Sequence, residues 1–192
     1  MNDFLLFFIS FLIIVIIIKK IYEKRNIITK TSKKDNIEYY VRDLDNSQEA
    51  AEKLSVINTK LQKLINSLDE NERKGIDRLK KRYNPKTLVE TEESSKYTSY
   101  SLNKGEKIAL CIREKNDPMK FETDNTIIFV AIHELAHIMT KSVGHPPEFW
   151  DNMGFLLKKA DELDIYEPID YSKNNTEYCG MDITTTPYDF KK

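Results

Sequence analysis

Residues 124–139 read DNTIIFVAIHELAHIM, an apolar run with His133, Glu134 and His137 in its second half. Apolar residues fall on nearly all sides of the helix that this run predicts, so we expect the helix at the centre of its domain, with Asp124 or Asn125 as its N-cap. Ionisable side chains buried there need partners, since burying them unpaired costs several kcal/mol. The run therefore predicts both the core of the fold and a chemically active site inside it.

The spacing of the two histidines is typical of a metal site. His133 and His137 are four residues apart, which places both imidazoles on one helical face within reach of a single ion. Glu134 lies about 100° further around the helix, beside the metal ligands. That position suits a general base acting on water, so the pattern indicates a catalytic Zn²⁺ site with one ion.

His145 is the predicted third ligand. Gly144 precedes it, and a glycine can reverse the backbone after a helix end without steric cost, which would return His145 to the site. The alternative third ligands are carboxylates of the following helix, which are Glu148, Asp151, Asp161 and Glu162. A different interpretation is that the histidines are core residues bonded to backbone carbonyls, or that they hold a structural metal.

Composition favours one ordinary domain. The chain has 192 residues, of which 40% are hydrophobic and 32% charged, and this excludes wholesale disorder. Residues 1–34 carry seven basic side chains against two acidic ones, a net charge of +5, which leaves −6 for residues 35–192 out of a total of −1. An acidic body argues against a nucleic-acid partner.

Cys111 and Cys179 allow at most one disulfide, and we expect two free thiols in a reducing compartment.

The first 22 residues predict a single-pass transmembrane anchor. Residues 4–18 contain no charged side chain and would span roughly 22 Å as a helix, and the flanking residues up to 22 extend this toward the roughly 30 Å apolar layer of a membrane. The basic residues that follow predict that the rest of the chain lies on the cytosolic side of a host or virion membrane. We expect a basic juxtamembrane tether over 23–44 and the zinc-binding domain over 45–192.

The remaining pattern predicts an α+β fold. A helix is expected from Asn46 or Ser47, with Glu49 completing a capping box, and its apolar stripe favours packing on the core over a coiled coil. We expect a shorter helix over 72–82 and then a β-hairpin with strands at 97–102 and 108–112. A loop over 114–123 and, after the central helix, a helix opened by Pro146 and Pro147 are also expected. Residues 164–192 show no clear period.

The motif and its surroundings resemble a known family. HELAH followed by GHPPEFW over 144–150 looks like the HExxH…GHgpeFw pattern of WLM and SprT-type zinc metallopeptidases. TSYSLNKGEKIALCIR over 98–113 and YCGMDITTTP over 178–187 look like a membrane-anchored branch found in large DNA viruses. The resemblance covers roughly residues 95–183. It implies a minimal zincin-like fold, with His133, His137 and His145 as zinc ligands and Glu134 as the catalytic residue.

These observations predict a membrane-anchored zinc metallopeptidase that hydrolyses a protein or peptide substrate. Tyr166, Tyr171 and Tyr178 are candidates for stabilising the oxyanion, and the strand at 108–112 is a candidate sheet edge for binding extended substrate. Better-known members of the family act on DNA-crosslinked proteins, so a DNA–protein crosslink protease is one alternative. A membrane-tethered scaffold, in which Cys179 completes a closed structural zinc site, is the other.

Overall fold

The predicted α+β class is confirmed. The structure, a computed structural model, describes residues 2–190, with the side chains of residues 5–18 and 26–190. The helices are α1 (Asn2–Arg25), α2 (Ser47–Ser67), α3 (Ile76–Arg82), α4 (Asp124–Met139) and α5 (Pro147–Glu162). The strands are β1 (Ile27–Thr31), β2 (Glu38–Arg42), β3 (Leu88–Glu90), β4 (Tyr100–Leu102), β5 (Lys107–Leu110), β6 (Thr176–Tyr178) and β7 (Met181–Ile183).

Helix α4 lies at the centre of the core, as its composition predicts. Its buried side chains include Ile128, Ile132 and Leu135, and α2, α3, α5, β4 and β5 all pack against it. The apolar stripe of α2 faces this core, which confirms core packing over a coiled-coil seam. The helix that carries the site is therefore held on several sides by other elements.

A three-stranded sheet with the order β3-β5-β4 covers one side of α4. The predicted hairpin is confirmed in β4 and β5, which pair antiparallel around a turn where Lys104 has φ +59° and Gly105 has φ +105°. Strand β3 pairs parallel to β5, so β5 is central and β4 is an outer strand. The prediction that the 108–112 strand forms the sheet edge is therefore wrong, because β3 and β4 occupy both of its sides.

The N-terminal region differs from its prediction. Within the described part of the chain, no helix is long and apolar enough to cross a membrane. Residues 27–42, predicted as a tether, form the β1–β2 hairpin, in which Tyr39 and Val41 are buried in the core. Glu52 of α2 accepts hydrogen bonds from Ser32 Oγ and Lys33 N in the hairpin turn. The tether prediction is wrong here, because alternate apolar side chains of β2 pack on α2.

Helix α2 begins at Ser47 as predicted, but the predicted capping box does not form. Asn46 occupies the N-cap without a capping side-chain hydrogen bond. Its amide instead donates to Met119 O, and its Oδ1 accepts from the guanidinium of Arg113. Arg113 is 1% exposed and also pairs with Glu90, which is 2% exposed. The capping group is therefore used to satisfy a buried charge.

The C-terminal region contains a second small hairpin, β6–β7, which the sequence pattern does not reveal. A disulfide joins Cys179, in the turn of this hairpin, to Cys111 directly after β5. The prediction of two free thiols is therefore wrong, because the fold brings together two cysteines 68 residues apart, with Cα atoms separated by 6.4 Å. The cysteines accordingly give no support to a reducing compartment.

Residues 184–190 continue from β7 as a strap across α5. An added Cβ at Gly154 would lie 2.8 Å from Pro187 O, so only glycine allows this close approach. The strap is also held by Tyr188, whose hydroxyl donates to Asp161.

Candidate metal centre

The second half of α4 positions the site residues. Thr123, not Asp124 or Asn125, is the N-cap, and its Oγ1 accepts from Thr126 N at 3.2 Å. The end of the helix is fixed by Arg78, whose Nη1 donates to Met139 O at 2.6 Å. His133, Glu134 and His137 are therefore carried by a central helix whose two ends are held by side-chain hydrogen bonds.

The structure brings the three predicted histidines together. After α4, Gly144 adopts φ +80°, and His145 returns over the helix. The ring centroids of the three histidines are 4.8–4.9 Å apart, and one nitrogen of each lies within 4.8 Å of the other two. The three residues thus form a group that could hold a metal ion.

The separation of His133 and His145 fits a shared zinc ion. His145 Nε2 lies 3.1 Å from His133 Nε2. Two nitrogens bound to one Zn²⁺ at about 2.05 Å and a tetrahedral angle would be about 3.3 Å apart. The observed separation therefore needs only a small adjustment to accommodate the ion.

One aromatic side chain supports all three imidazoles. The ring of Phe149, in the first turn of α5, is fully buried, with its centroid 4.8 Å from that of His133, 4.5 Å from His137 and 4.6 Å from His145. Trp150 packs on the outer side of His145, at 5.6 Å between centroids. Helix α5 therefore packs against all three rings through its first turn.

The electrostatic environment keeps two of the histidines neutral. Burial, with smaller contributions from His137 and His145, lowers the pKa of His133 to about 3. Burial also lowers the pKa of His137, to about 4, with smaller contributions from His145 and Lys104. A neutral imidazole has a free lone pair, which is the form that binds a metal.

Glu134 is a buried carboxylate beside the histidines, 4% exposed. Burial raises its pKa to about 8, a net value that already includes the opposing effect of a hydrogen bond from the backbone N–H of Ser101 in β4. Within the described part of the chain, its Oε2 has no hydrogen-bond partner. An unpartnered buried carboxylate oxygen is costly, and it is explained if a proton, water or substrate group is bound there during function.

The loop before His145 is attached to the rest of the fold by two side chains. Lys104, in the β4–β5 turn, donates from Nζ to Ser142 O at 2.7 Å. Asn152 of α5 donates to the buried Thr140 hydroxyl at 3.0 Å. These contacts fix the path that returns His145 to α4.

The other candidate ligands lie elsewhere. The metal-binding group found among the described residues consists of the three histidines, without the carboxylates of Glu148, Asp151, Asp161 and Glu162. Cys179, the proposed fourth ligand of a closed site, is bonded to Cys111. The prediction of Cys179 as a ligand is therefore wrong, because its sulfur is already used in the disulfide.

The three candidate tyrosines are buried, and one lies beside the site. Tyr178 lines the same cavity as Glu134, but its hydroxyl donates to Cys111 O at 2.6 Å and contacts Ser99 Oγ at 2.9 Å. Burial raises the pKa of all three hydroxyls. Tyr166 and Tyr171 pack around Phe129 on the opposite part of α4.

A cavity of about 360 Å³ opens beside Glu134 and His133. It lies between residues 96–99, which lead into β4, and residues 181–185 of the β6–β7 hairpin and the strap. Its floor is formed by Val130 on α4 and Met153 on α5. The candidate site thus has a metal-binding end and an adjoining, mostly apolar pocket.

Comparison with known proteins identifies the family. The WLM domain matches residues 41–187, most of the chain. The chain belongs to the WLM family. This membership supports a protease-like function.

Viral proteins are among the relatives of this WLM domain. An uncharacterised protein of Acanthamoeba polyphaga mimivirus is 35% identical over 152 residues, which cover 76% of this chain and 77% of the relative. An uncharacterised protein of Invertebrate iridescent virus 3 is 35% identical over 99 residues, covering 52% of this chain and 57% of the relative.

A solved structure shares the fold. A mutant of Wss1 from Saccharomyces cerevisiae superposes with a TM-score of 0.52 and 20% identity, covering 65% of this chain and 87% of that chain. A second Wss1 structure gives a TM-score of 0.49 and 22% identity, covering 62% of this chain and 83% of that chain. The first superposition indicates a common fold.

Three residues that shape the WLM site have roles that the sequence does not reveal. Phe149 reads as one more core residue of α5, and its contact with all three histidines depends on the packing of α5 against α4. The roles of Lys104 and of the Ser101 amide depend on how the sheet lies against α4. Only the folded chain brings these groups to the site.

Proposed function

We propose that this WLM domain is a zinc-dependent peptidase in which His133, His137 and His145 hold one Zn²⁺ and Glu134 is the general base. The observation that carries the proposal is the triangle of imidazoles beside a buried carboxylate with an unpartnered oxygen. When bound, Zn²⁺ would polarise a substrate carbonyl and make water more acidic. Three protein ligands leave a coordination position open, as catalytic zinc sites require.

The proposed role of Glu134 follows from its two oxygens. One accepts from the Ser101 amide, which holds the carboxylate in place. A bound Zn²⁺ would oppose the effect of burial and favour the ionised carboxylate, so that Oε2 could take a proton from the attacking water. The same oxygen then returns the proton to the leaving amine. Burial keeps bulk water from competing for this position.

Strand β4 offers a surface for the substrate backbone. Among the residues that the structure describes, it pairs with β5 on one side only, and Ser101 in β4 contacts Glu134. An extended peptide that adds to the free side of β4 would pass the three histidines. This binding mode uses backbone hydrogen bonds and is weakly selective for sequence.

The experiment that tests the proposal is Glu134→Gln in the full chain. We expect one zinc per chain to remain bound, while hydrolysis of casein falls by about 10²–10⁴-fold, the usual contribution of a general base. Glu70→Gln, at an exposed position of the α2–α3 loop, is the matched control and should leave both quantities unchanged. Hydrolysis at the wild-type rate by Glu134→Gln would contradict the assignment.

Family membership also favours testing the alternative of a DNA–protein crosslink protease. That function predicts binding to DNA that weakens with salt, together with faster cleavage when DNA is added. Cleavage that is independent of DNA would favour the general peptidase. Zinc bound without any hydrolysis, in either condition, would favour the scaffold.

Attachment to a membrane through residues 4–22, with the domain on the cytosolic side, stays a separate prediction. It depends on the uncharged stretch 4–18, whose described side chains are exposed. A variant with Ile13→Lys and Ile16→Lys should move the full chain from the carbonate-resistant membrane pellet to the supernatant. Recovery of the wild-type chain in the supernatant would contradict the prediction.

A further inference from the structure

The cavity beside Glu134 has walls that come from separate parts of the chain. Val130 lies one helical turn before Glu134, on the same face of α4, and Met153 of α5 completes the floor. Trp150 and Met181 form the rim, and they are 40% and 57% exposed. The cavity is therefore continuous with the candidate site and open to solvent.

The outer wall of the cavity is fixed in place. The β6–β7 hairpin is joined to the sheet by the Cys111–Cys179 disulfide and by the hydrogen bond from Tyr178 OH to Cys111 O. Thr98 Oγ1 also contacts Met181 Sδ at 2.9 Å. A wall attached at several points is suited to select a side chain by size, because it cannot simply move aside.

We propose that this cavity is a subsite for a large apolar or aromatic side chain next to the bond that is cleaved. The inference rests on the proposed peptidase function, and it names the class of peptide that the site prefers. A peptide extended along the free side of β4 would direct alternate side chains toward α4, and residues 96–99 already lead past the cavity. One substrate side chain therefore enters the cavity while its neighbours stay outside.

Size and charge both favour an apolar occupant. A volume of about 360 Å³ is near the lower end of the range for ligand pockets, roughly 300–1,000 Å³, which is enough for one large side chain. The rim carries one charge of each sign, Lys96 and Asp182, while Val130 and Met153 form an apolar floor. An acidic side chain would lose its hydration there without gaining a buried cationic partner, and Glu134 at the metal-binding end would not attract it.

The structure offers a direct probe for this test, because Trp150 is the only tryptophan of the chain and lies on the cavity rim. Zinc-loaded full-length protein carrying Glu134→Gln would be titrated with blocked hexapeptides that differ at one central position, with Phe, Leu, Ala or Asp. We expect the Phe and Leu peptides to change Trp150 fluorescence and to bind at least tenfold more tightly than the Asp peptide.

A cavity-filling variant provides the decisive comparison. Val130→Phe should reduce binding of the Phe peptide at least tenfold and leave binding of the Ala peptide within twofold. Val56→Phe makes the same chemical change at a half-buried position of α2 that does not line the cavity. It should bind all four peptides as the protein carrying Glu134→Gln alone does. Equal binding of all four peptides, or selectivity that survives Val130→Phe, would overturn the proposal.

The two proposals can fail separately. If the wild-type protein hydrolyses the peptides at equal rates whichever residue is varied, the subsite is refuted and the peptidase stands. If hydrolysis is absent but the fluorescence titration separates Phe from Asp, the selectivity of the cavity for a large apolar side chain stands, and the peptidase is refuted.

Discussion

Removing the Cys111–Cys179 disulfide should destabilise the domain substantially. The bond closes a loop of 68 residues, and the chain-entropy estimate for a loop of that length is about 4 kcal/mol at 25 °C. For a domain of this size, such a loss corresponds to a fall in Tm of about 10 °C. The double variant Cys111→Ala and Cys179→Ala avoids placing new hydroxyl groups in this partly buried environment.

Urea unfolding followed by circular dichroism would measure the effect. The metal is removed first, since zinc bound to the folded state would add its own stabilisation. The wild-type protein should lose stability when reductant is added, whereas the double variant should show no further change. A thiol assay on the unfolded protein should detect no free thiol before reduction and two afterwards.

The same experiment can refute the reasoning. If the free energies of unfolding of the oxidised wild type and the double variant differ by less than about 0.5 kcal/mol, closing this loop does not stabilise the fold. If two thiols react before reduction, the bond itself is absent, and the wall of the cavity depends on Tyr178 and Thr98 alone.

Three further predictions concern other parts of the fold. Phe149→Leu should weaken zinc binding at least tenfold in a chelator competition, because the three imidazoles lose their common support, and unchanged affinity would contradict that role. Arg113→Met should cost about 3–5 kcal/mol in urea unfolding, since it leaves Glu90 charged and buried, and the double variant with Glu90→Gln should lose less than the sum. Glu52→Gln should speed hydrogen exchange in the 27–42 hairpin. Hydrogen bonds from Lys33 N and Ser32 lower the pKa of Glu52 in the folded state. The stabilisation that Glu52 gives the hairpin is therefore fully present above its pKa in the unfolded chain, about 4.3, and is lost as the pH falls through its lower pKa in the folded protein.

Elements with a strong local pattern could be predicted from the sequence. Helix α4 and the stripe of α2 follow from apolar periodicity, and the β4–β5 hairpin follows from its turn residues. The cluster of His133 and His137 follows from the geometry of one helix. The position of His145 required one further inference, that the backbone reverses at Gly144. The positive φ of Gly144 is consistent with this reversal.

Features that depend on contacts distant in sequence were not predicted. Strands β3, β6 and β7 have three residues each, too few for a period, and β3 is placed by parallel pairing with β5. The disulfide depends on the position of the β6–β7 hairpin. The capping box at Asn46 failed for the same reason, because a distant buried arginine competes for the side chain that a local rule assigns to the helix end.

The single ring beneath the three imidazoles links the metal-binding end of the site to helix α5. A displacement of α5 moves Phe149 and so removes one packing contact from all three imidazoles at once. Substitutions elsewhere on α5, remote from any metal ligand, should lower the affinity for zinc to the extent that they let the Phe149 ring move.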